Sequence, residues 1–303
     1  MNRNEVLRNT YLEYQPNLGL GENFSLKIRE QAGLDIWTSD YATIREMGST
    51  SSLKGGDIEN YGSQHNVFNN LFTVNFDGKF GKSDEWRLNV ILGNEFNHES
   101  IRNWDYYGSN FNFPGFTNIG NATSLTSSEY KRQERTVGFF GSLSMSWQDQ
   151  VYLTVTGRND WDSKLAFSKQ KSFFYPSVGL SALLSEMVKL PEVISYAKIR
   201  GSYTVVASFF DRFLTNPGYE YNSQTHNWAN PTVYPMDNMK PEKTKSWEIG
   251  LNLKFWGNRF NLDATYYRSN TLNQTFKVDI PSSSGYKQAI VQAGNVTKIR
   301  VLN

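Results

Sequence analysis

Residues 247–267 read WEIGLNLKFWGNRFNLDATYY, and apolar and polar residues alternate on both sides of a short interruption at Gly257 and Asn258. Successive side chains of a β-strand point to opposite faces, so residues two apart share a face. The stretch therefore predicts an antiparallel hairpin of two long strands, with one apolar face and one polar face. The fold depends on what the apolar face contacts.

The same two-residue period returns along most of the chain and predicts further hairpins. The segments that carry it are 68–92, 137–155, 174–205 and, with a weaker pattern, 10–28. Alternation sustained over more than about nine residues favours membrane-spanning strands over the five or six residues typical of soluble sheets. The pattern predicts an all-β protein whose long strands are joined as antiparallel neighbours.

Composition narrows the class of protein. Aromatic residues make up 15% of the chain, yet the mean hydropathy is −0.56. No stretch approaches the roughly 18 consecutive apolar residues that a membrane-spanning helix needs. A transmembrane β-barrel accounts for both properties, because only alternate residues meet lipid while the lumen and loops stay polar.

Charge and cysteine content exclude other classes. The chain has no cysteine, which removes disulfides and thiolate metal sites. Its net charge of +2 comes from mixed charges, without a basic run that would indicate nucleic-acid binding. Residues 1–5 are polar and lead into a strand-like segment without the apolar core of a secretory signal. An apolar sheet face would aggregate in the cytoplasm, so we expect the chain to be a piece of a longer protein.

The connections alternate in length, which indicates an orientation in a membrane. Short turns follow Phe80, Trp147 and Trp256, whereas long segments rich in Asn, Ser, Gly and Tyr cover 103–131, 208–243 and 280–287. Short periplasmic turns and long extracellular loops are the layout of up-and-down outer-membrane barrels. Aromatic residues near strand ends fit the girdles at the two membrane interfaces: Trp86, Trp147, Trp247, Trp256 and Phe260.

A soluble alternative stays open at this point. The same aromatic residues could pack the core of a two-sheet sandwich, as in a β-rich surface or soluble carbohydrate-binding or adhesin-like module. In that case the apolar faces of two sheets would contact each other. In a barrel they would contact hydrocarbon.

Four short motifs resemble one family of membrane proteins. Residues 239–251, MKPEKTKSWEIGL, resemble the stretch L-K-P-E-x-T-x-S-x-E-x-G that enters a late strand of TonB-dependent outer-membrane receptors, in the form found in the SusC/RagA family of Bacteroidetes. Residues 153–160 (LTVTGRND), 175–181 (YPSVGLS) and 197–204 (AKIRGSYT) agree with that family in order and spacing. The resemblance covers nearly the whole chain from about residue 8.

The resemblance implies a barrel of about 22 strands around a plug, gated by TonB. It further implies a SusD-like lipoprotein partner, a glycan or peptide substrate and a place in the cell outer membrane. Residues 1–303 would form a partial barrel domain of about 10–12 strands, without the signal peptide, the plug, the TonB-interacting N-terminal region and the last strands. The expected function is import of a nutrient, an oligosaccharide or a peptide.

The C-terminal residues depart from the family pattern. Residues 293–296, AGNV, resemble the entry to another strand, but TKIRVLN follows where the family has N-K-G-x-E. A shifted reading frame or a truncated gene is our hypothesis for this departure. An incomplete barrel leaves unpaired strand edges, which cost several kcal/mol for each unsatisfied group in lipid, so we expect this chain alone to be inactive as a pore.

Candidate catalytic and metal-binding residues are few. His65, His98 and His226 are the only histidines, and none has a second histidine three or four residues away. Asp160 and Asp162 would lie on one side of a strand, as in a glycosidase acid pair, but two hydrated lumen carboxylates are the simpler interpretation. We expect no enzyme, no metal and no cofactor.

Loop aromatic residues are the candidate ligand contacts. Flat rings beside Asn and Asp can stack on sugar faces or hold extended peptides. They can equally pack loop against loop or lie at the membrane surface. The candidates are Trp104, Tyr106 and Tyr107 in one segment, and Trp228 and Tyr234 in another.

Overall fold

The computed structural model describes residues 2–19, 21–52, 55–222 and 225–301. Most of these residues lie in long strands, and the only α-helix among them is the single turn α1, Leu184–Met187. The first eight strands are β1 Asn2–Tyr14, β2 Phe24–Arg45, β3 Asp57–Phe80, β4 Trp86–Phe111, β5 Ala122–Trp147, β6 Val151–Asp162, β7 Ser172–Leu183 and β8 Ile194–Ser208. The remainder are β9 Glu220–Asn222, β10 Asn227–Ala229, β11 Val233–Tyr234, β12 Glu242–Phe255, β13 Phe260–Asp279 and β14 Gln288–Val301.

The long strands form one antiparallel up-and-down sheet. Its order is β1-β2-β3-β4-β5-β6-β7-β8-β12-β13-β14, and the short β11 adds to the far side of β14 in parallel, making 12 strands. Each long strand pairs with the next long strand of the chain, as the hairpin pattern predicts. Among the described residues β1 and β14 do not pair with each other, so the sheet is an open part of a barrel wall.

The hairpin at residues 247–267 is confirmed in detail. In the ladder of β12 and β13, Trp247 lies opposite Arg268 and Phe255 lies opposite Phe260. Gly257 and Asn258 both have left-handed backbones, with φ of 63° and 68°. Gly and Asn tolerate this conformation best, which is why a tight reversal forms here.

The two faces of the sheet differ in chemistry. The outer face carries the apolar residues of the alternating pattern, and large side chains such as Leu92, Phe139 and Ile249 remain more than half exposed on it. The inner face carries the polar residues, which pair with one another. A soluble protein seldom leaves so continuous an apolar surface open to water, and lipid is the medium that such a surface suits.

Aromatic rings on the outer face form two rows. The lower row lies next to the short turns, where Trp86 is 6.2 Å from both Phe80 and Trp147. The upper row includes the contacting pairs Phe139–Trp161 and Trp247–Tyr266. Trp247 and Phe255 are separated by about eight residues, or about 26 Å along the strand. Because the strands of outer-membrane barrels tilt by about 40°, this length spans about 20 Å of membrane thickness, which is most of their apolar band of about 25 Å.

Two groups of neighbouring strands in the sheet differ in length, and β1, β13 and β14 belong to neither group. In the tall wall, β2–β5, the strands have 22, 24, 26 and 26 residues. In the short wall, β6, β7, β8 and β12, they have 12, 12, 15 and 14 residues. About nine to eleven residues suffice to cross the membrane, so the tall wall continues well beyond the upper aromatic row.

The prediction that residues 103–131 form a loop is wrong. β4 and β5 stay paired from Trp86 opposite Trp147 up to Phe111 opposite Ala122, and only 112–121 leave the ladder. The Asn, Ser and Tyr content of this segment indicated a loop, but cross-strand pairing satisfies its backbone groups and overrides that preference. The long connections at 209–241 and 280–287 are confirmed.

The sandwich alternative is also wrong. The described strands form one large sheet and one two-stranded hairpin of β9 and β10, so no second large sheet covers the apolar face. Buried apolar clusters occur at the long-loop end, around Met239 and around Ile58. None of the described helices is long and apolar enough to cross a membrane.

Candidate functional site

An arginine that crosses a glycine organises the inner face between the two walls. Arg158 of β6 lies 2.8 Å from Asp160 on its own strand and reaches across β5 to Glu95 of β4, at 2.6 Å. It passes over Gly138, where an added Cβ would collide with both Arg158 and Asp160. Tyr175 of β7 donates a hydrogen bond to the same Asp160. Four adjacent strands are thereby joined by one charged network.

A second arginine repeats this arrangement in the short wall. Arg200 of β8 crosses Gly250 of β12, where an added Cβ would lie 2.5 Å from Nε of the arginine. Its guanidinium lies 3.3 Å from Asp263 of β13 and donates to Thr265 at 2.7 Å. Glu248 lies 3.5 Å from it. The absence of a side chain on the middle strand lets each arginine bind two strands away along the wall.

The inner face of the tall wall carries stacked aromatic rings above the membrane band. Tyr41 and Tyr61 are parallel, with centroids 4.9 Å apart and planes only 3° from each other. Trp37 packs on His65 at 5.0 Å, and His65 Nε2 lies 2.9 Å from Glu99. These contacts produce a shallow polar and aromatic surface that faces the lumen.

The connection from β8 to β12, residues 209–241, folds onto the inner face, and we call it the inner loop. Its Met239 is fully buried beside Phe173 of β7 and Ile290 of β14. Ser168 Oγ donates to the Met239 carbonyl oxygen at 2.9 Å. The Lys240 amide donates to Gln292 Oε1 of β14 at 2.7 Å. The inner loop thus crosses the lumen side of β8, β12 and β13.

The structure separates the aromatic residues predicted as ligand contacts. Trp104 lies in the β4–β5 ribbon, and its ring packs where Gly62 leaves room, so it serves packing. Tyr106 and Tyr107 are half-buried on the same strand and face opposite sides of it. Trp228 contacts Tyr221 in the β9–β10 hairpin, and Tyr234 contacts Tyr286 of the neighbouring loop. No ring-to-ring contact among the described residues joins the two groups, and their role as ligand contacts stays a prediction.

The candidate catalytic and metal-binding residues have structural partners. Asp160 is only 5% exposed and is held by Arg158 and Tyr175. Asp162 instead accepts hydrogen bonds from Thr136 and from the Lys164 amide. Within the described ranges, no three His, Asp or Glu side chains converge in a way that could hold a metal ion.

Sequence reasoning missed the two arginine crossings and the inward fold of the inner loop. Both depend on register and on contacts between strands far apart in sequence. A glycine opposite an arginine becomes visible only when the pairing is known, as in Arg200 opposite Gly250. The one local signal was the polar face of each strand, which predicted lumen side chains in general.

The two-faced sheet has the architecture of an outer-membrane barrel wall, and a family comparison agrees. Residues 2–301 match the family model described as TonB dependent receptor-like, beta-barrel. The chain belongs to this family. Its members are outer-membrane β-barrel proteins, which agrees with the apolar outer face and places the chain in the cell outer membrane.

Relatives and solved structures support this assignment. TonB-dependent receptor P26 of Formosa agariphila is 23% identical over 98% of this chain and 31% of its own length. TonB-dependent receptor SusC of Bacteroides thetaiotaomicron is 24% identical over 78% of this chain and 24% of its own length. The solved structure of the RagAB peptide transporter superposes with a TM-score of 0.77 at 16% identity, over 99% of this chain and 34% of that chain. The chain therefore spans about a third or less of these relatives, and the fold is what the structural likeness shows.

Proposed function

We propose that this chain is part of the wall of a TonB-dependent importer in the outer membrane, and that the importer takes up an oligosaccharide. The observation that carries the proposal is the division of the sheet into an apolar outer face and a charged inner face crossed by Arg158 and Arg200. A wall of this kind separates lipid from a hydrated path. In this proposal residues 1–303 supply one part of a larger barrel, and sequence outside this chain supplies the plug and the region that engages TonB.

The proposed partner is a SusD-like lipoprotein at the extracellular end. The similarity to SusC and to the RagAB complex supports a two-component receptor. The tall wall, which extends beyond the upper aromatic row, offers a surface for such a partner. We propose that the lipoprotein captures the nutrient and delivers it to the lumen.

In this proposal the chain carries its cargo without reacting with it. The candidate pair of carboxylates, Asp160 and Asp162, is divided between different partners. A glycosidase needs both carboxyl groups free to face one bond. In this proposal the charged side chains of the lumen therefore stabilise the pairing of the strands.

A peptide is the second candidate cargo. The observation that favours it is the likeness to RagAB, whose structure is described as that of a peptide transporter. At 16% identity this likeness concerns the fold, so it does not rank peptide above oligosaccharide. The uptake experiment below separates the two.

Deletion of the chromosomal gene that encodes this chain tests the proposal. Cells with and without the gene are given fluorescent neutral oligosaccharides or fluorescent peptides, with and without a protonophore that collapses the energy source of TonB. We expect loss of uptake of at least one oligosaccharide in the deletion strain, and the same loss with the protonophore. Equal uptake in both strains for every probe would contradict the proposal.

Purification of the tagged chain from native outer membranes tests the partner. We expect a lipid-modified protein to co-purify in an amount close to one per receptor. The same purification after removal of surface lipoproteins by protease should yield the receptor without it. A receptor that is always recovered alone would contradict the proposed lipoprotein.

A further inference from the structure

A cleft of about 460 Å³ lies between the inner loop and β5, and its chemistry is unlike that of the surrounding wall. We call it the ring cleft. Its lining includes Tyr130 of β5 together with Phe213, Pro217, Tyr219, Pro231 and Thr232 of the inner loop. None of the lining residues, all of which lie in the described ranges, carries a charge. The Arg158 and Arg200 networks, in contrast, are dominated by ion pairs.

The rings of the cleft are exposed although the loop that carries them is anchored. Tyr130, Phe213 and Tyr219 are each more than half exposed. Close to Phe213 in sequence, Arg212 lies 3.0 Å from Glu134 of β5 and Thr215 is buried. The anchored neighbours fix the position of the Phe213 ring, so that it does not collapse into the apolar cluster below.

The backbone at Phe213 is strained. Its φ is 61°, in the left-handed region that a bulky residue rarely adopts. Such a conformation is maintained only when surrounding contacts impose it, and it concentrates at ligand-binding and catalytic positions. Because the Phe213 ring is more than half exposed, its burial contributes little free energy to offset this backbone strain. The Phe213 ring instead lines the ring cleft.

We propose that the ring cleft is a ligand subsite that binds the flat, apolar face of a neutral sugar residue. This inference rests on the proposed import function and adds the place and chemistry of one contact. Aromatic rings stack on the C–H face of a sugar, and the hydroxyl groups of Tyr130, Tyr219 and Thr232 can bond to its edges. An anionic sugar would find no cation in the lining.

A peptide suits the ring cleft less well. Extended peptides are usually bound by a free strand edge, by a charged pocket for a terminus or by a groove for repeated prolines. The nearest strand of the inner loop, β11, already pairs with β14 through Val233 and Tyr234. The uncharged lining also lacks a group to hold a terminal carboxylate or amine. Binding of peptides alone is therefore the competing outcome of the test.

The test uses the chromosomal gene, so that the protein is made and assembled as it is in the cell. Uptake is measured with fluorescent maltohexaose, laminarihexaose and mannohexaose as neutral probes, with a galacturonic acid hexamer as the anionic probe, and with a pool of decapeptides. The variants are Phe213→Ala and Tyr219→Ala in the ring cleft. Phe116→Ala is the matched control, because Phe116 is similarly exposed in the loop that joins β4 to β5, outside the cleft.

We expect each cleft variant to raise the half-saturating concentration of a neutral oligosaccharide about fivefold, as expected for loss of one stacking contact. The maximal rate should stay unchanged, because the variants remove binding and leave the translocation path. Phe213→Tyr keeps the ring and should restore the original half-saturation. The amount of receptor in the outer membrane, measured by immunoblot, identifies a variant that fails to assemble, and Tyr219→Ala then carries the test alone.

Several results would overturn the inference. One is an unchanged half-saturation in both cleft variants while deletion of the gene abolishes oligosaccharide uptake, which leaves the import function intact. Another is uptake of the decapeptide pool or the anionic probe only. A third is an equal effect of Phe116→Ala. If deletion of the gene changes no uptake at all, the proposed function itself fails, which is a distinguishable result.

Discussion

The tall wall and the short wall use the same alternating pattern inside the membrane and differ above it. β4 and β5 continue as a paired ribbon to Phe111 and Ala122, whereas β6 ends at Asp162 and β8 at Ser208. Backbone groups of the tall wall are satisfied by neighbouring strands. Above the short wall, the inner loop folds down over the lumen and buries Met239. The difference teaches that alternation defines the membrane wall, while loop packing shapes the entrance.

The largest expected effect concerns the anchor of the inner loop. Met239→Ala removes a fully buried side chain above the short wall, and such a change costs about 2–5 kcal/mol. Because the loop would detach while the wall stays paired, we expect limited proteolysis within 209–241 to accelerate about 30-fold or more. Met187→Ala, at an exposed position of α1, is the control. Equal proteolysis of both variants would mean that the loop is held elsewhere.

The second effect concerns the junction of the two walls. Arg158→Met leaves Glu95 and Asp160 without their cation, and we expect a loss of about 2 kcal/mol, less than for a fully buried pair because the arginine is partly exposed. Urea unfolding of the receptor in native membranes, followed by tryptophan fluorescence, measures the loss.

The control for this prediction is the exposed ion pair between Arg87 and Asp149, 3.0 Å apart near a short turn. Arg87→Met should cost less than about 1 kcal/mol, as is usual for surface pairs. If the two arginine variants lose the same stability, the network of Arg158 does not join the walls.

The third prediction compares one glycine from each wall. At Gly62 of the tall wall an added Cβ would collide with the Ser39 carbonyl oxygen and the Trp104 ring, whereas at Gly179 of the short wall nothing lies within 4 Å. Gly62→Ala should therefore destabilise the receptor by about 1–3 kcal/mol. Gly179→Ala should be neutral or slightly stabilising, since alanine loses less backbone entropy. Urea unfolding of the two variants checks this, and a loss at Gly179 as large as that at Gly62 would contradict it.

The smallest effect is a pH dependence in the ribbon of the tall wall. The guanidinium of Arg102 donates two hydrogen bonds to Glu129, at 2.9 and 2.8 Å, and this lowers the pKa of Glu129 below the ordinary glutamate value. The pair therefore stabilises the ribbon above the ordinary pKa, and this contribution is lost as pH falls through the lowered pKa. Between neutral pH and about pH 5 we expect no change.

Tryptophan fluorescence can report this titration, because the Arg102 guanidinium lies 5.8 Å from the Trp104 ring centre. The difference between the native receptor and the Glu129→Gln variant should show a midpoint below the ordinary glutamate pKa. Glu46→Gln, in the loop between β2 and β3, is the control and should give no difference. A midpoint at or above the ordinary value would show that the pair does not hold the ribbon.

Much of the wall could be predicted because its information is local. The period of two at Trp247, Ile249 and Leu251 assigns each side chain to a face without knowledge of the partner strand. The same pattern predicted the hairpins, the apolar outer face and the short turns, and the motif around 239–251 indicated the family. The prediction failed at 103–131, where polar composition indicated a loop, because pairing of β4 with β5 satisfies that backbone.

The candidate site could be predicted only in part. Tyr219 belongs to a loop whose aromatic content is visible in the sequence, whereas no local pattern marks Tyr130 and Phe213, which are far apart in sequence. Their proximity arises from the inward fold of the inner loop. No pattern in the sequence predicts the left-handed backbone of Phe213, because phenylalanine normally avoids that conformation.

By itself the sequence determined long antiparallel strands with one apolar and one polar face, since a period of two assigns alternate side chains to opposite faces. The tertiary structure excluded a second large sheet against the apolar face among the described strands. The tertiary structure alone decided which strands rise above the membrane and where the inner loop lies. It also decided which arginine crosses which glycine. These features depend on register and on contacts across the sheet, and no local pattern of residues encodes them.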